Sequence, residues 1–174
     1  GTVHLDDFGK TECIFFFGQN VGTSSPRMLH DLQDASRRGV PIVTFNPLRE
    51  RGLERFKNPQ SPTEMMSSSA TPISAQYHQL KVGGDIAVLT ALCKAVLARD
   101  DEAVKLSTPR VLDHEFIAVH TEGFEAFAQF LREADWESLC HHAGLPRTAL
   151  EAAAETYMNA ESAIGIYGMG ITQH

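Results

Sequence analysis

The first 45 residues have the pattern of a buried strand, a turn, a helix and a second buried strand. Residues 13–17 (CIFFF) and 40–45 (VPIVTF) are apolar runs, which are typical of strands covered on both faces of a parallel sheet. Between them, apolar residues recur at helical spacing over residues 26–38, with Ser25 as the predicted N-cap and Pro26 as the first helical residue. Because parallel strands need a crossover, this segment predicts a βαβ unit.

The pattern continues along the rest of the chain. Strands alternating with helices predict an α/β fold, namely a doubly wound, mostly parallel, Rossmann-like sheet with helices on both faces. Two segments lack periodicity, a long loop over residues 46–74 and a polar connection over residues 101–112. The further predicted elements are a strand at 74–80, a helix at 86–99 with Asp85 as N-cap, short helices within 113–159 and a strand at 162–167.

Length and composition limit the class of protein. With 174 residues and 43% hydrophobic content, the chain predicts one domain over residues 1–174. A net charge of −7 argues against a general nucleic-acid binder. No apolar run is long enough to span a bilayer. The three cysteines, Cys13, Cys93 and Cys140, are widely separated, odd in number and without a CxxC pair, so no disulfide framework is indicated. These features favour a reduced, cytoplasmic protein that binds neither membranes nor nucleic acids.

Polar and glycine-rich segments follow the predicted strands. Ligands of doubly wound sheets bind at the carboxyl ends of the strands, where the strand order reverses. We therefore expect four loops to meet at one edge of the sheet, those at residues 18–25, 46–55, 81–85 and 168–173.

The chemistry of the first two loops favours a nucleotide. Gly18 and the small polar residues after it precede a predicted helix, where free backbone N–H groups attract phosphate. A strand-to-helix turn that only needs a positive φ explains the same residues. The acidic residue that would hold an NAD ribose is replaced by Asn46 and Pro47, which disfavours a nicotinamide dehydrogenase. Arg49 could bind phosphate, or it could form an ion pair with Glu54.

No complete catalytic machinery is recognisable. Cys140, His141 and His142 are adjacent in sequence and therefore do not share one helix face, which disfavours a metal site. The chain contains no nucleophile elbow, no zinc-protease motif and no Walker A loop. We predict no catalytic residues and no metal ligands.

Five motifs in order resemble the DMSO reductase superfamily of molybdopterin oxidoreductases, in particular its formate dehydrogenase alpha subunit-like branch. Residues 113–124 (DHEFIAVHTEGF) are similar to the family's D-x-x-F-I-x-x-H-T-x-G-F stretch, and residues 168–174 (GMGITQH) to its G-M-G-x-T-Q-H loop. The other three are the G-x-N turn at residues 18–20, the P-G-x-D-x-A-L helix start at 82–89, and the run from Gly-Leu-Pro to Tyr at 144–157.

The resemblance implies a fragment of a larger enzyme that binds one guanylyl arm of bis-molybdopterin guanine dinucleotide and is inactive alone. It places Gly18, Gln19, Asn20, Thr23 and Ser24 near the pyrophosphate. It places Asn46, Pro47, Arg49, Gly83 and Asp85 near the guanine or ribose. It places Gly168, Met169, Gly170, Thr172 and Gln173 against the pterin.

The resemblance also implies parts that lie outside this chain. In the parent enzyme these are the remaining domains, molybdenum or tungsten, a possible 4Fe-4S cluster and a small substrate such as formate. One departure concerns the guanine contact, because many relatives have an acidic residue where this chain has Asn46. The alternative function is a noncatalytic Rossmann-like nucleotide-binding module.

Overall fold

The computed structural model describes residues 3–66 and 70–172. The chain divides into two compact units. The sheet unit is the chain up to Leu80 together with the chain from Ala160 onward, and the helical unit is Lys81–Asn159. The single domain over residues 1–174 stays a prediction, because one domain can contain two such units.

The described residues form six strands, ten α-helices and one 3-10 helix at Leu5–Gly9. The strands are β1 (Cys13–Phe17), β2 (Ile42–Phe45), β3 (Arg55–Phe56), β4 (Thr71–Pro72), β5 (Gln76–His78) and β6 (Ala163–Tyr167). The helices are α1 (Val21–Ser24), α2 (Met28–Arg37), α3 (Arg51–Glu54), α4 (Pro62–Met66), α5 (Asp85–Leu106), α6 (His114–His120), α7 (Phe124–Glu133), α8 (Trp136–Ala143), α9 (Arg147–Met158) and α10 (Met169–Thr172).

Four parallel strands form the main sheet, in the order β5-β2-β1-β6. The chain moves outward from β1 through β2 to β5, and then returns to pair β6 with the other side of β1. The strand order therefore reverses between β1 and β6, which is the defining feature of a doubly wound sheet. This topology confirms the predicted α/β class and the predicted parallel sheet.

An apolar core of the sheet unit contains α2 and the strands β1 and β2. The side chains of Leu29 and Leu32 on α2 pack against Ile14 and Phe16 of β1 and against Ile42 of β2. All five side chains are at least nine-tenths buried. Since each such side chain contributes about 1.5–3 kcal/mol when it is fully buried, this helix is held mainly by its apolar face.

The first turn of the sheet unit differs from its prediction. The predicted N-cap Ser25 and the predicted first helical residue Pro26 lie between two helices. Asn20 caps α1 instead, because its Oδ1 accepts a hydrogen bond of 3.2 Å from the N–H of Thr23. The longer helix α2 begins only at Met28. An asparagine five residues upstream thus starts a single helical turn before the proline is reached.

The helical unit is organised around α5, which packs against α7, α8 and α9. Asp85, predicted as the N-cap of this helix, is its first residue, and Gly84 takes the N-cap position. The helix continues to Leu106 instead of ending near Arg99. The predicted polar connection is helical in its first half because Asp100 points inward and is fully buried. The predicted short helices after residue 113 are confirmed.

Two further predictions on the elements are correct only in outline. The strand predicted over residues 74–80 is limited to Gln76–His78. The long loop at 46–74 contains α3, α4 and the antiparallel pair of β3 and β4. Within residues 3–66 and 70–172, no helix combines the length and the apolarity needed to cross a lipid bilayer.

We expect adjacent glycines of the helical unit to respond very differently to alanine. A Cβ at Gly84 would lie 2.9 Å from the backbone oxygens of Lys81 and His142, whereas a Cβ at Gly83 would meet only open space. Gly83 has a φ of +79°, so Gly83→Ala should lower the free energy of unfolding by about 1–2 kcal/mol through backbone strain alone. Gly84→Ala should cost up to about 3 kcal/mol, because the backbone must shift. Urea unfolding of the two variants measures the difference, and a milder effect of Gly84→Ala would contradict the close approach.

Candidate functional site at the edge of the sheet

The switch point of the sheet brings two predicted loops together. Phe17 and Tyr167 are register partners at the ends of β1 and β6, so the residues that follow them leave the sheet side by side. A Cβ on Gly168 would lie 3.9 Å from Cγ of Gln19, which is an ordinary van der Waals distance. The predicted meeting of these two loops is therefore observed.

The side-chain oxygen of Gln19 is unusual in its burial and hydrogen bonding. Its side-chain Oε1 is buried and accepts no hydrogen bond from any residue in the ranges 3–66 and 70–172. A buried carbonyl oxygen without a partner costs about 1–3 kcal/mol, and such groups are rare in folded proteins. The atom is therefore a candidate acceptor for a ligand that carries an N–H or O–H group.

The rest of the first loop is a capped single turn. Gly18 has a φ of +67°, and its N–H donates to the carbonyl of Phe45 at 2.8 Å, which joins the loop to the end of β2. The Oγ of Ser24 donates to the backbone oxygen of Asn20 at 2.7 Å, and the side chain of Thr23 is exposed. The longer helix α2 begins only at Met28, after this turn.

The Asn46 loop, residues 46–50, follows the neighbouring strand β2. Asn46 is only 4% exposed, and its Oδ1 accepts a hydrogen bond of 3.0 Å from the N–H of Leu48. That contact uses the oxygen end of the amide, so Nδ2 is the end that can donate to a ligand. Arg49 forms an exposed ion pair with Glu54 at 2.8 Å, which is the structural alternative considered from the sequence.

Two residues that the sequence analysis did not predict hold this loop. The hydroxyl of Tyr77 donates to the carbonyl of Leu48 at 2.8 Å and accepts from the N–H of Glu50 at 2.9 Å. Nε2 of Gln79 donates to the carbonyl of Pro47 at 2.8 Å. Nothing in the sequence pattern indicates these contacts, because each joins residues about thirty positions apart.

Burial affects two titratable side chains on β5. It raises the pKa of Tyr77 above its ordinary value, so the hydroxyl keeps its proton at neutral pH. It lowers the pKa of His78, which favours a neutral ring at pH 7. The His78 ring stacks on Phe45, with 4.9 Å between the ring centroids, and its Nε2 lies 3.0 Å from Oε1 of Gln76. This histidine is a packed side chain of the sheet.

The remaining predicted positions are distributed as follows. Met169, Gly170 and Thr172 belong to α10, where the Met169 side chain is 71% exposed and the Thr172 hydroxyl donates to the carbonyl of Met169 at 3.0 Å. Gln173 lies outside the described residues. Gly83 and Asp85 belong to the helical unit, at the start of α5. Among the described residues no three His, Cys, Asp or Glu side chains are grouped to hold a metal ion.

Comparison with curated proteins relates the chain to longer oxidoreductases. No protein-family model matches it. It is 41% identical over all 174 residues to Protein YdeP of Escherichia coli, of which it covers 23%. It is 31% identical over the same length to an uncharacterized oxidoreductase of Mycobacterium tuberculosis, covering 22% of that protein. Over 169 residues it is 26% identical to formate dehydrogenase H of Escherichia coli, covering 20%.

A solved structure gives the same picture of the fold. Acetylene hydratase from Pelobacter acetylenicus is similar to 94% of this chain with a TM-score of 0.69, and the match covers 19% of that enzyme. At 17% identity, this likeness shows the fold alone. The chain thus spans less than a quarter of the curated relatives and of the solved structure that it matches.

The fold and the sheet edge define a class, the doubly wound α/β segments that present glycine-rich loops at a switch point. The relatives that it matches include oxidoreductases several times its length. The chain is similar to parts of two formate dehydrogenases, formate dehydrogenase H of Escherichia coli and the F420-dependent formate dehydrogenase subunit alpha of Methanocaldococcus jannaschii, to which it is 25% identical over 172 residues. The resemblance predicted from the sequence is thereby confirmed.

Proposed function

We propose that this chain holds one guanylyl arm of bis-molybdopterin guanine dinucleotide in a multidomain oxidoreductase. The observation that carries the proposal is the buried, unpartnered Oε1 of Gln19 beside Gly168. Its position next to the switch point is where doubly wound sheets bind nucleotides. The relationship to formate dehydrogenases supports the choice of this nucleotide over NAD.

The donor and acceptor chemistry of the loops fits different parts of such a ligand. A phosphate carries no donor at neutral pH, so Oε1 of Gln19 suits a ribose hydroxyl or a pterin N–H better than the pyrophosphate predicted from the resemblance. Nδ2 of Asn46 suits an acceptor such as the guanine O6 or N7. The backbone of Gly18 and the exposed hydroxyl of Thr23 lie in the turn that we assign to the pyrophosphate.

In this proposal the cofactor and the protein have separate roles. When bound, the cofactor's metal-dithiolene centre supplies two-electron redox chemistry, and the protein binds and orients it. The remaining domains, molybdenum or tungsten, a possible 4Fe-4S cluster and a small substrate such as formate complete the proposed cytoplasmic enzyme. This chain alone is expected to be inactive.

Titration calorimetry tests the proposal on the complete protein that carries this chain, produced in a strain that cannot make molybdopterin. We expect GDP to bind at least about tenfold more tightly than NAD, a difference of about 1.4 kcal/mol. Asn46→Ala should weaken GDP about tenfold. Asn58→Ala is a matched control, because Asn58 also accepts from a backbone N–H two residues later, that of Gln60 at 2.8 Å.

The other outcomes identify the competing functions. A preference for NAD would favour a nicotinamide dehydrogenase, and equal affinity for all nucleotides would favour the noncatalytic nucleotide-binding module. Asn20→Ala is a poorer probe than Asn46→Ala, because it also removes the cap of α1 and so costs about 1 kcal/mol of stability.

A further inference from the structure

The Asn46 loop is fixed mainly by side chains from β5 and the residues after it. The Tyr77 hydroxyl bridges two backbone groups of the loop, the Leu48 carbonyl at 2.8 Å and the Glu50 N–H at 2.9 Å. The side-chain amide of Gln79 donates to the carbonyl of Pro47 at 2.8 Å. Three residues of the loop, Pro47, Leu48 and Glu50, are thus hydrogen-bonded to β5 and to the residue that follows it by one position.

Tyr77 is itself held firmly. Its ring is half-buried and packs against the apolar core of the sheet unit, so the position of the hydroxyl is restricted by the packing of the ring. The guanidinium of Arg49 lies 5.9 Å from the centroid of this ring. Because burial raises the pKa of the hydroxyl, the group donates and accepts in the same way throughout the neutral range.

The beginning of the loop is anchored at the sheet. The N–H of Asn46 donates to the carbonyl of His78 at 3.1 Å, which continues the ladder between β2 and β5. Oδ1 of Asn46 accepts from the N–H of Leu48, whose carbonyl accepts from Tyr77. The orientation of the Asn46 amide is therefore coupled through Leu48 to the Tyr77 hydroxyl.

We infer that Tyr77 is a positioning and specificity-determining residue, which fixes the Asn46 loop so that the Asn46 amide faces one edge of the bound nucleobase. This inference rests on the proposed function and adds to it the origin of base discrimination. Gln79 assists by holding the Pro47 carbonyl. A loop without the hydroxyl bridge would let the amide rotate, and either end of it could then meet a base.

The substitution Tyr77→Phe tests the inference, because it removes the hydroxyl and keeps the packed ring. The probes are GDP, ADP and inorganic pyrophosphate, each titrated into the complete protein produced without molybdopterin. In the variant we expect GDP to bind about tenfold more weakly, in line with the loss of two hydrogen bonds. ADP and pyrophosphate should change by less than about threefold, so the ratio of GDP to ADP affinity falls.

Ser36→Ala is the matched control. The Ser36 hydroxyl donates to the carbonyl of Pro72 in β4 at 2.6 Å, so it also joins two distant segments of the sheet unit. We expect this variant to lose stability without any change in the GDP to ADP ratio. A merely structural role of Tyr77 would give the same result as the control.

The outcomes separate the inference from the proposed function. If the unmodified protein binds GDP no more tightly than NAD or ADP, both the inference and the proposed function fail. If it prefers GDP and Tyr77→Phe leaves the ratio unchanged, the positioning role is wrong and the proposed function stands. A reduced ratio in Tyr77→Phe, with an unchanged ratio in Ser36→Ala, supports both.

Discussion

Replacing Asp100 with alanine is expected to lower the free energy of unfolding by about 3 kcal/mol, near the value for breaking a buried ion pair. The carboxylate is completely buried in the helical unit. It accepts a hydrogen bond of 3.0 Å from Nε of Arg110 and one of 2.9 Å from Nε2 of His114. It also accepts from the N–H groups of Val111 and Leu112, at 2.9 and 3.0 Å.

The large effect follows from what the substitution leaves behind. Each backbone N–H that loses its acceptor costs about 1–3 kcal/mol wherever water cannot replace the carboxylate. The segment between α5 and α6 would lose its attachment to α5 at the same time. Because Arg110 is 44% exposed, its guanidinium regains water, which keeps the expected cost at the lower end of the range for buried pairs.

Asp101→Ala provides the control at the next position. Asp101 pairs with Arg132 at 2.8 Å, and both side chains are about a third or more exposed. Such exposed pairs contribute at most about 1 kcal/mol. Urea unfolding followed by circular dichroism compares the two variants. Equal losses of stability would contradict the assignment of Asp100 as the buried anchor.

The contribution of Asp100 should also depend on pH. Arg110 above all, and the hydrogen bonds from Leu112, His114 and Val111, hold the pKa of this carboxyl well below its ordinary value of 3.8. A depressed pKa in the folded state means that the stabilisation is present above about pH 4 and is lost as the pH falls below it. We therefore expect the difference in unfolding free energy between the unmodified protein and Asp100→Ala to shrink between about pH 4 and pH 2. A constant difference over that interval would contradict the ionised anchor.

Sequence patterns predicted the parts of the fold that depend on local burial. The apolar runs of β1 and β2 are visible because strand burial is a local property of the sequence. The end of α5 was not predictable in the same way. The run Asp100-Asp101-Glu102 has the composition of a solvated connection, and only the distant Arg110 makes its first residue an interior one.

In the candidate site, too, the residues placed by local sequence features were predictable, and those that depend on distant contacts were not. Gln19, Asn46 and Gly168 could be selected because they follow strands, and the carboxyl ends of parallel strands share one edge. Tyr77 and Gln79 could not, since their roles depend on hydrogen bonds across thirty positions of the chain. The resemblance identified Asn20 as a ligand candidate, and the structure adds that its side-chain oxygen caps α1.

The substitution Gln19→Leu is expected to have opposite effects on the free and the cofactor-loaded protein. In the free protein it replaces a buried, unpartnered carbonyl oxygen by an apolar group of similar size, which should raise the free energy of unfolding by about 1 kcal/mol. In the loaded protein it removes the acceptor that we assign to a ribose hydroxyl or a pterin N–H. The cofactor should then bind about tenfold more weakly, at about 1.4 kcal/mol per factor of ten.

Two measurements on the complete protein test the expected gain in stability and the expected loss of cofactor binding. Calorimetric unfolding of the protein produced without molybdopterin measures the stability of the free protein. The GMP released by acid hydrolysis of protein from a cofactor-producing strain measures how much cofactor is bound. Gln129→Leu is the matched control, because Gln129 is exposed on α7 and its amide donates to Glu133, one turn later on the same helix. That variant should leave the GMP content unchanged. A destabilised free protein with full GMP content in Gln19→Leu would show that Oε1 serves the fold, whereas a stabilised free protein that retains little GMP is the result a ligand acceptor requires.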